Sequence, residues 1–284
     1  MLAFERHGAG EPLVLVHGVT HRRQAWYPVL DRLIDHREVV LVDLPGHGQS
    51  DPFHTDGLPV AEALRRDFRA FLDEQGLDRP HVAGNSLGGR VALEAGAAGD
   101  ARTVTALSPA GFWRTEAEFA YTRRLFTSAA QLSRSLGRRG EQLGRTRAGR
   151  NVMYGLLMAH PNRVPPDHAM GDFRAFRYAR PALGALLAAA SPFTEVIPAD
   201  VPVTIAWAAR DLVLPRWQAE VARQWLPQAE HVRMPGVGHV PMFDDPELVA
   251  EILLRGSEPT ATVSQLAPVA RRGRPRRKAA TATA

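Results

Sequence analysis

Short apolar runs bounded by glycine and proline alternate along this chain with stretches whose apolar residues recur every three or four positions. That alternation predicts strands near residues 2–5, 12–16, 38–42, 80–84, 103–107, 201–207 and 230–234, and helices near 24–34, 60–75, 87–98, 216–226 and 246–254. Strands separated by single helices build βαβ units, so the expected class is α/β, a mostly parallel twisted sheet flanked by helices. Such a sheet opens its ligand crevice beyond the carboxyl ends of its strands. More than ninety residues separate the runs ending at Leu107 and starting at Val201, far beyond an ordinary connection. The segment 112–195 is therefore expected to be a helical cap inserted into a core formed by 1–111 and 196–256. Its apolar positions Phe119, Tyr121, Leu125, Phe126, Met153, Tyr154, Leu157, Met158, Phe173, Phe176 and Tyr178 are expected chiefly to bury one another. Beyond Gly256 periodicity ends, and 257–284 reads as a disordered basic tail.

One stretch carries most of the chemistry. Gly84-Asn85-Ser86-Leu87-Gly88-Gly89 follows the run Pro80-His81-Val82-Ala83 and opens a small-residue helix pattern. A serine held on a tight strand-to-helix turn needs neighbours without bulk, and the G-x-S-x-G spacing supplies them. Two further residues fall where partners of such a serine are required. Asp211 lies just after the run Val201–Trp207, and His239 stands in Gly236-Val237-Gly238-His239 after His231–Met234. Alone, Asp211 reads as a helix cap or turn residue and His239 as a solvated loop residue. Together, in the order nucleophile, acid, histidine, they form the constellation of a Ser-His-Asp triad.

Two loops extend the pattern. Leu13–Val16 runs into His17-Gly18-Val19-Thr20, and Val39–Val42 runs into Asp43-Leu44-Pro45-Gly46-His47-Gly48-Gln49-Ser50. With the serine turn, these resemble the α/β-hydrolase superfamily over nearly the whole chain up to about Arg255. The resemblance implies an α/β-hydrolase fold, catalysis by Ser86, Asp211 and His239, and an oxyanion hole made by the backbone N–H groups of Val19 and Leu87. It also implies a structural, loop-orienting His17. The amino terminus leaves room for one leading strand where the superfamily usually has a hairpin. The G-N-S-x-G-G wording is similar to that of C–C bond hydrolases and small-molecule esterases, but the loop His17–Arg23 lacks the Gly-Pro-Gly character usual in the former. Epoxide hydrolases and haloalkane dehalogenases of this fold use an aspartate where Ser86 stands.

Composition narrows the picture further. With no cysteine there is neither a disulfide nor thiolate chemistry, and no histidine cluster or phosphate-cradling glycine loop calls for a metal or cofactor. No run of eighteen apolar residues and no leader-like amino terminus occurs, so the expectation is a soluble cytoplasmic protein without membrane partners. The net charge of +5 is uneven: residues 259–284 hold six basic and no acidic groups, leaving 29 basic against 30 acidic. Within that remainder, 112–195 carries 13 arginines against six acids, an excess able to steer an anionic substrate or simply to solvate helix faces. In the tail, Arg272-Gly273-Arg274-Pro275-Arg276 resembles an AT-hook core, while its charge alone accounts for weak, non-specific contact with nucleic acid.

The function read from these features is a serine hydrolase of a small ester or lactone, working on a small-molecule substrate without cofactor or metal. A C–C bond hydrolase or lyase acting on a carboxylate-bearing substrate with the same triad is the alternative. A non-catalytic binding protein of the same fold is the reading from another class. Trp113 and Trp207, near strand ends, are either pocket walls or buried packing.

Overall fold

The computed structural model describes residues 1–258; the tail, including Arg272–Arg276, lies outside the described residues. Seven strands, β1 (Phe4–His7), β2 (Pro12–Val16), β3 (Glu38–Val42), β4 (His81–Asn85), β5 (Thr103–Leu107), β6 (Val203–Ala208) and β7 (Glu230–Met234), form one sheet in the order β1-β3-β2-β4-β5-β6-β7. All neighbours are parallel except β1, which pairs antiparallel with β3 in the register Phe4 opposite Val42.

Alternate residues of each central strand feed two separate cores. Val14, Val16, Val40, Val42, Val82 and Val104 pack on one face with α2 (Val60–Glu74) and α3 (Leu87–Ala98). Leu13, Leu15, Val39, Leu41, Ala83 and Leu107 pack on the other with α1 (Tyr27–Leu33) and, near the carboxyl end of the described chain, a helix at Pro246–Gly256. Burial on both faces is why these strands read as nearly continuous apolar runs.

Between β5 and β6 the chain forms five helices: α4 (Glu116–Leu136), α5 (Arg139–Leu143), α6 (Arg147–Tyr154), α7 (Pro166–Tyr178) and α8 (Arg180–Ala189). Thr115 caps α4 by accepting from the Glu118 N–H, and Thr146 caps α6 by accepting from the Gly149 N–H. After β6 come α9 (Gln218–Trp225), β7 and α10 (Pro246–Gly256), the last capped by Asp245 with Pro246 in its first turn. No helix among the described residues is long and apolar enough to cross a membrane.

The apolar positions of the insertion divide in a way the helical periodicity does not foretell. Tyr154, Met158 and Phe173 are buried, but Tyr121 and Tyr178 lie on the surface, where their hydroxyls donate to the carbonyls of Leu212 and Ser50. Leu125, Met153 and Leu157 are half-buried because each packs against the core on one side and lines a cavity on the other, a cavity that the half-buried Phe176 lines too. Trp207 is buried, edge-on to Phe112, with its indole N–H donating to the Leu214 carbonyl.

Candidate active site

Ser86 stands between the last residue of β4 and the first of α3, with φ 57° and ψ −114°. A non-glycine residue held there stores about 1–3 kcal/mol, which the surroundings must overdetermine. They do so by close approach. A Cβ on Gly84 would meet the Gly88 carbonyl carbon at 2.2 Å, and one on Gly88 would meet the Val16 carbonyl oxygen at 2.0 Å. Only hydrogen at both positions lets the turn seat between β2 and α3. The Ser86 N–H donates to the Leu107 carbonyl at 2.9 Å, and the Ser86 carbonyl accepts from the N–H groups of Arg90 and Ala110.

The loops after β6 and β7 bring Asp211 and His239 to the same end of the sheet. Asp211 Oδ1 accepts from the N–H groups of Val213 at 2.9 Å and Leu214 at 2.7 Å, while Oδ2 accepts from His239 Nδ1 at 2.7 Å. With its proton on Nδ1, the ring presents an unprotonated Nε2, which makes no hydrogen bond within the described protein and lines the same cleft as Ser86. Both carboxylate and imidazole are buried, so their mutual hydrogen bond is unscreened by water.

The loop after β2 forms the opposite wall. A Cβ on Gly18 would lie 3.3 Å from the Ser86 Cβ, so the loop after β2 passes directly beside Ser86. His17 is fully buried; its Nε2 accepts from the Leu44 N–H at 3.0 Å and its Nδ1 donates to the Gly18 carbonyl at 2.7 Å. It thus ties the loop after β2 to the loop after β3. The N–H groups of Val19 and Leu87 make no hydrogen bond within the described protein, and Leu87, first in α3, has no intrahelical acceptor.

Several residues to which the sequence assigned no role of their own hold this geometry. Asn85 Nδ2 donates to the carbonyls of Leu107 and His239, pinning the histidine loop to the sheet. Asp244 accepts from the N–H groups of Gly238, Ala159 and His160, so one buried carboxylate fastens the histidine loop to the insertion. Asp172 of α7 performs the equivalent service for the loop after β2, accepting from Arg22 Nε at 3.0 Å and from the Tyr154 hydroxyl at 2.7 Å. Asp43 anchors the loop after β3 by accepting from the N–H groups of Arg23 and Gln49. A sequence signal existed for Asp43, through its D-x-P-G-x-G-x-S setting, and for Asn85, through the G-N-S-x-G-G wording. Asp172 and Asp244 act on partners remote in sequence.

Two outcomes follow from this buried polar scaffold. Asp172→Ala leaves Arg22 Nε and the Tyr154 hydroxyl without their acceptor and is expected to cost about 3 kcal/mol of stability, checked by urea unfolding of the variant. Burial holds His47 at a pKa of about 4 and pushes His17 well below 6.5. The unfolded chain protonates these rings near 6.5, so folding stability is full above that pH, falls as pH drops, and levels near the folded pKa. For His47 alone the loss between pH 6.5 and 4 is on the order of 3 kcal/mol. Urea titrations at pH 7 and 4.5 measure it, and equal midpoints would contradict neutral buried imidazoles.

Immediately above Ser86 the cleft is almost closed, with about 10 Å³ free between Gly18, Val19, His239, Val240 and the insertion residues Phe126 and Leu157. Beyond Phe126 and Leu157 a cavity of about 350 Å³ opens within the insertion. Trp113 lines a separate, smaller recess of about 70 Å³ beside Leu87. A wider polar depression of about 470 Å³, bordered by Arg69, Asp73, Arg79 and Asp100, lies at the amino end of β4, the end opposite Ser86, and its lining holds no serine, histidine or tyrosine. Neither the cleft nor the insertion cavity is lined by arginine or lysine.

Comparison with known proteins agrees with this architecture. The chain is 28% identical over 281 residues to an uncharacterized protein of Mycobacterium tuberculosis, covering 91% of this chain and 78% of that one. It is 25% identical over 252 residues to Lipase 3 of a Moraxella species, covering 83% and 73% respectively. Its fold is similar to that of a thermophilic esterase from Thermogutta terrifontis, with a TM-score of 0.69, 23% identity, and coverage of 89% of this chain and 92% of that one. The profile described as "Alpha/beta hydrolase family" matches residues 13–252, a span that contains the serine turn, both partner loops and six of the seven strands in the order described above. The chain belongs to the alpha/beta hydrolase family.

Proposed function

We propose that the protein is a serine hydrolase of small, uncharged carboxylic esters or lactones, and that residues 112–195 act as a cap over its active site. The observation that carries this reading is the strained Ser86 turn sharing a closed cleft with His239, whose Nδ1 is tied to Asp211 at 2.7 Å. Ser86 Oγ attacks the carbonyl carbon while His239 Nε2 takes its proton. The tetrahedral oxyanion lies against the N–H groups of Val19 and Leu87, each worth about 3–4 kcal/mol by analogy with measured oxyanion donors. His239 then returns the proton to the leaving alcohol, giving an acyl-enzyme that water, activated by the same ring, hydrolyses. Asp211 holds the imidazole in the productive tautomer and stabilises its charged form.

The lipase and esterase designations of the relatives support an ester as substrate. The cavity walls support an uncharged one, since a carboxylate carried into either space would meet no lining cation to replace its hydration. The insertion arginines lie mostly on the outer surface, where Arg123, Arg124, Arg134, Arg138 and Arg139 are exposed. These observations weigh against the carboxylate-directed C–C hydrolase alternative. The deciding experiment is a panel of p-nitrophenyl esters run beside a dienoic ring-fission acid. Turnover of the esters is expected; turnover of the acid alone would replace the reading.

A further inference from the structure

The cavity within the insertion has a chemical direction. Four of its lining residues, Thr20, His21, Phe126 and Leu157, also line the cleft over Ser86, so the two spaces adjoin across the Phe126 and Leu157 side chains. Thr20, His21, Tyr154 and Asp172 set its larger polar groups around the loop after β2, Ser128 and Ser133 add two hydroxyls from α4, and Leu132, Leu136, Val152, Leu156, Phe173 and Phe176 make most of the remaining wall apolar. Leu132, Val152 and Leu156 are 52%, 72% and 48% exposed, an apolar rim that water covers when nothing else does. At about 350 Å³ the space lies within the ordinary range of small-molecule sites, and it is far larger than the room over Ser86 itself.

We propose that this cavity is the acyl-chain site of the Ser86 centre, and that the preferred substrates are esters of unbranched, medium-length aliphatic acids. The inference rests on the reading of Ser86 as nucleophile and adds which part of the substrate the insertion binds. The carbonyl sits at the polar end, between Ser86 and the loop after β2, and the chain runs past Phe126 and Leu157 toward Leu132 and Leu156. Phe126 and Leu157 swing aside to admit it, since the cleft as it stands is too small for even a short acyl group. Each methylene buried in such a site contributes roughly a factor of four to binding.

The test uses the full chain and p-nitrophenyl acetate, butyrate, octanoate and dodecanoate. kcat/KM is expected to rise at least about tenfold from acetate to octanoate. Ala129→Trp, which places an indole in the cavity from an exposed position of α4, is expected to lower the octanoate-to-acetate ratio about tenfold. Leu156→Lys, which sets a charge on the exposed rim and spares the packed core, is expected to act in the same direction. Retained thermal midpoints separate this effect from unfolding. A flat chain-length profile, or a ratio unmoved by both variants while esters still turn over, overturns the acyl-chain site and leaves the esterase reading standing. Failure of every ester together with no fluorophosphonate labelling of Ser86 overturns both. Wild type that sediments as a dimer, with Leu156→Lys monomeric and its acyl ratio unchanged, overturns the proposal by assigning the rim to a second copy of the chain.

Discussion

Ser86→Ala is expected to lower kcat for ester hydrolysis by about 10⁶-fold while leaving the fold intact. The magnitude follows from the role proposed for the hydroxyl: without it no acyl-enzyme forms, and what survives is binding and oxyanion stabilisation. The intact fold follows from the structure. The Ser86 side chain makes no hydrogen bond within the described protein, and its N–H and carbonyl keep their partners in the variant. Alanine meets the same steric demand at φ 57° as serine, so the turn is no more strained than before. A fluorophosphonate probe is expected to label the wild type at Ser86 and to leave the variant unlabelled. Undiminished turnover by a variant of unchanged thermal midpoint, or labelling at another residue, would remove Ser86 from the mechanism.

The ease with which that serine is found in the sequence has a local cause. The clashes that exclude side chains at Gly84 and Gly88 arise within a few residues of Ser86 and against the strand beside it, so the constraint is written into one short motif. The central strands were legible for a related reason. Val39–Val42 and Thr103–Leu107 are buried on both faces and appear as uninterrupted runs, and β3 and β5 occupy the expected positions. The amino-terminal strand was displaced, expected at 2–5 and found at Phe4–His7. It is an edge strand with Arg6 exposed and His7 half-buried, so hydrophobicity draws the expectation toward Leu2 and Ala3, which lie before it. At β6 the expected start at Val201 gives way to Val203, because Pro202 has no N–H to add to the ladder.

What the sequence could not show depends on contacts between distant segments. Nothing near Asp244 or Asp172 announces that one carboxylate fastens the histidine loop and the other the loop after β2 to the same insertion. The insertion cavity was hidden for a different reason. An apolar stripe at helical spacing looks alike whether it packs on another helix or faces an open space, and Phe176 does the second while Leu125, Met153, Tyr154 and Phe173 do both. Only the relative placement of α4, α6 and α7 separates those outcomes. That placement also bears on the arginines: their number invites an anionic substrate, yet the helices turn most of them outward.

Asp211→Asn is expected to lower kcat by about 10⁴-fold with little change in KM or thermal midpoint. The argument runs through hydrogen-bond polarity. Two backbone donors, the N–H groups of Val213 and Leu214, converge on Oδ1 of the native carboxylate. In the variant that position takes the amide oxygen, because an NH₂ group there would face two donors. The amide NH₂ is thereby forced into the place of Oδ2, 2.7 Å from His239 Nδ1, where it can only donate. His239 must then accept at Nδ1 and carry its proton on Nε2, the nitrogen that faces the cleft. An Nε2 already protonated cannot take the proton of Ser86, and the imidazolium formed during the reaction also loses its anionic partner. Steady-state kinetics of the variant on the preferred ester measure the effect, with Asp211→Glu as the comparison that keeps charge and acceptor. A loss smaller than about tenfold in Asp211→Asn would show that the tautomer of His239 is set by something other than Asp211.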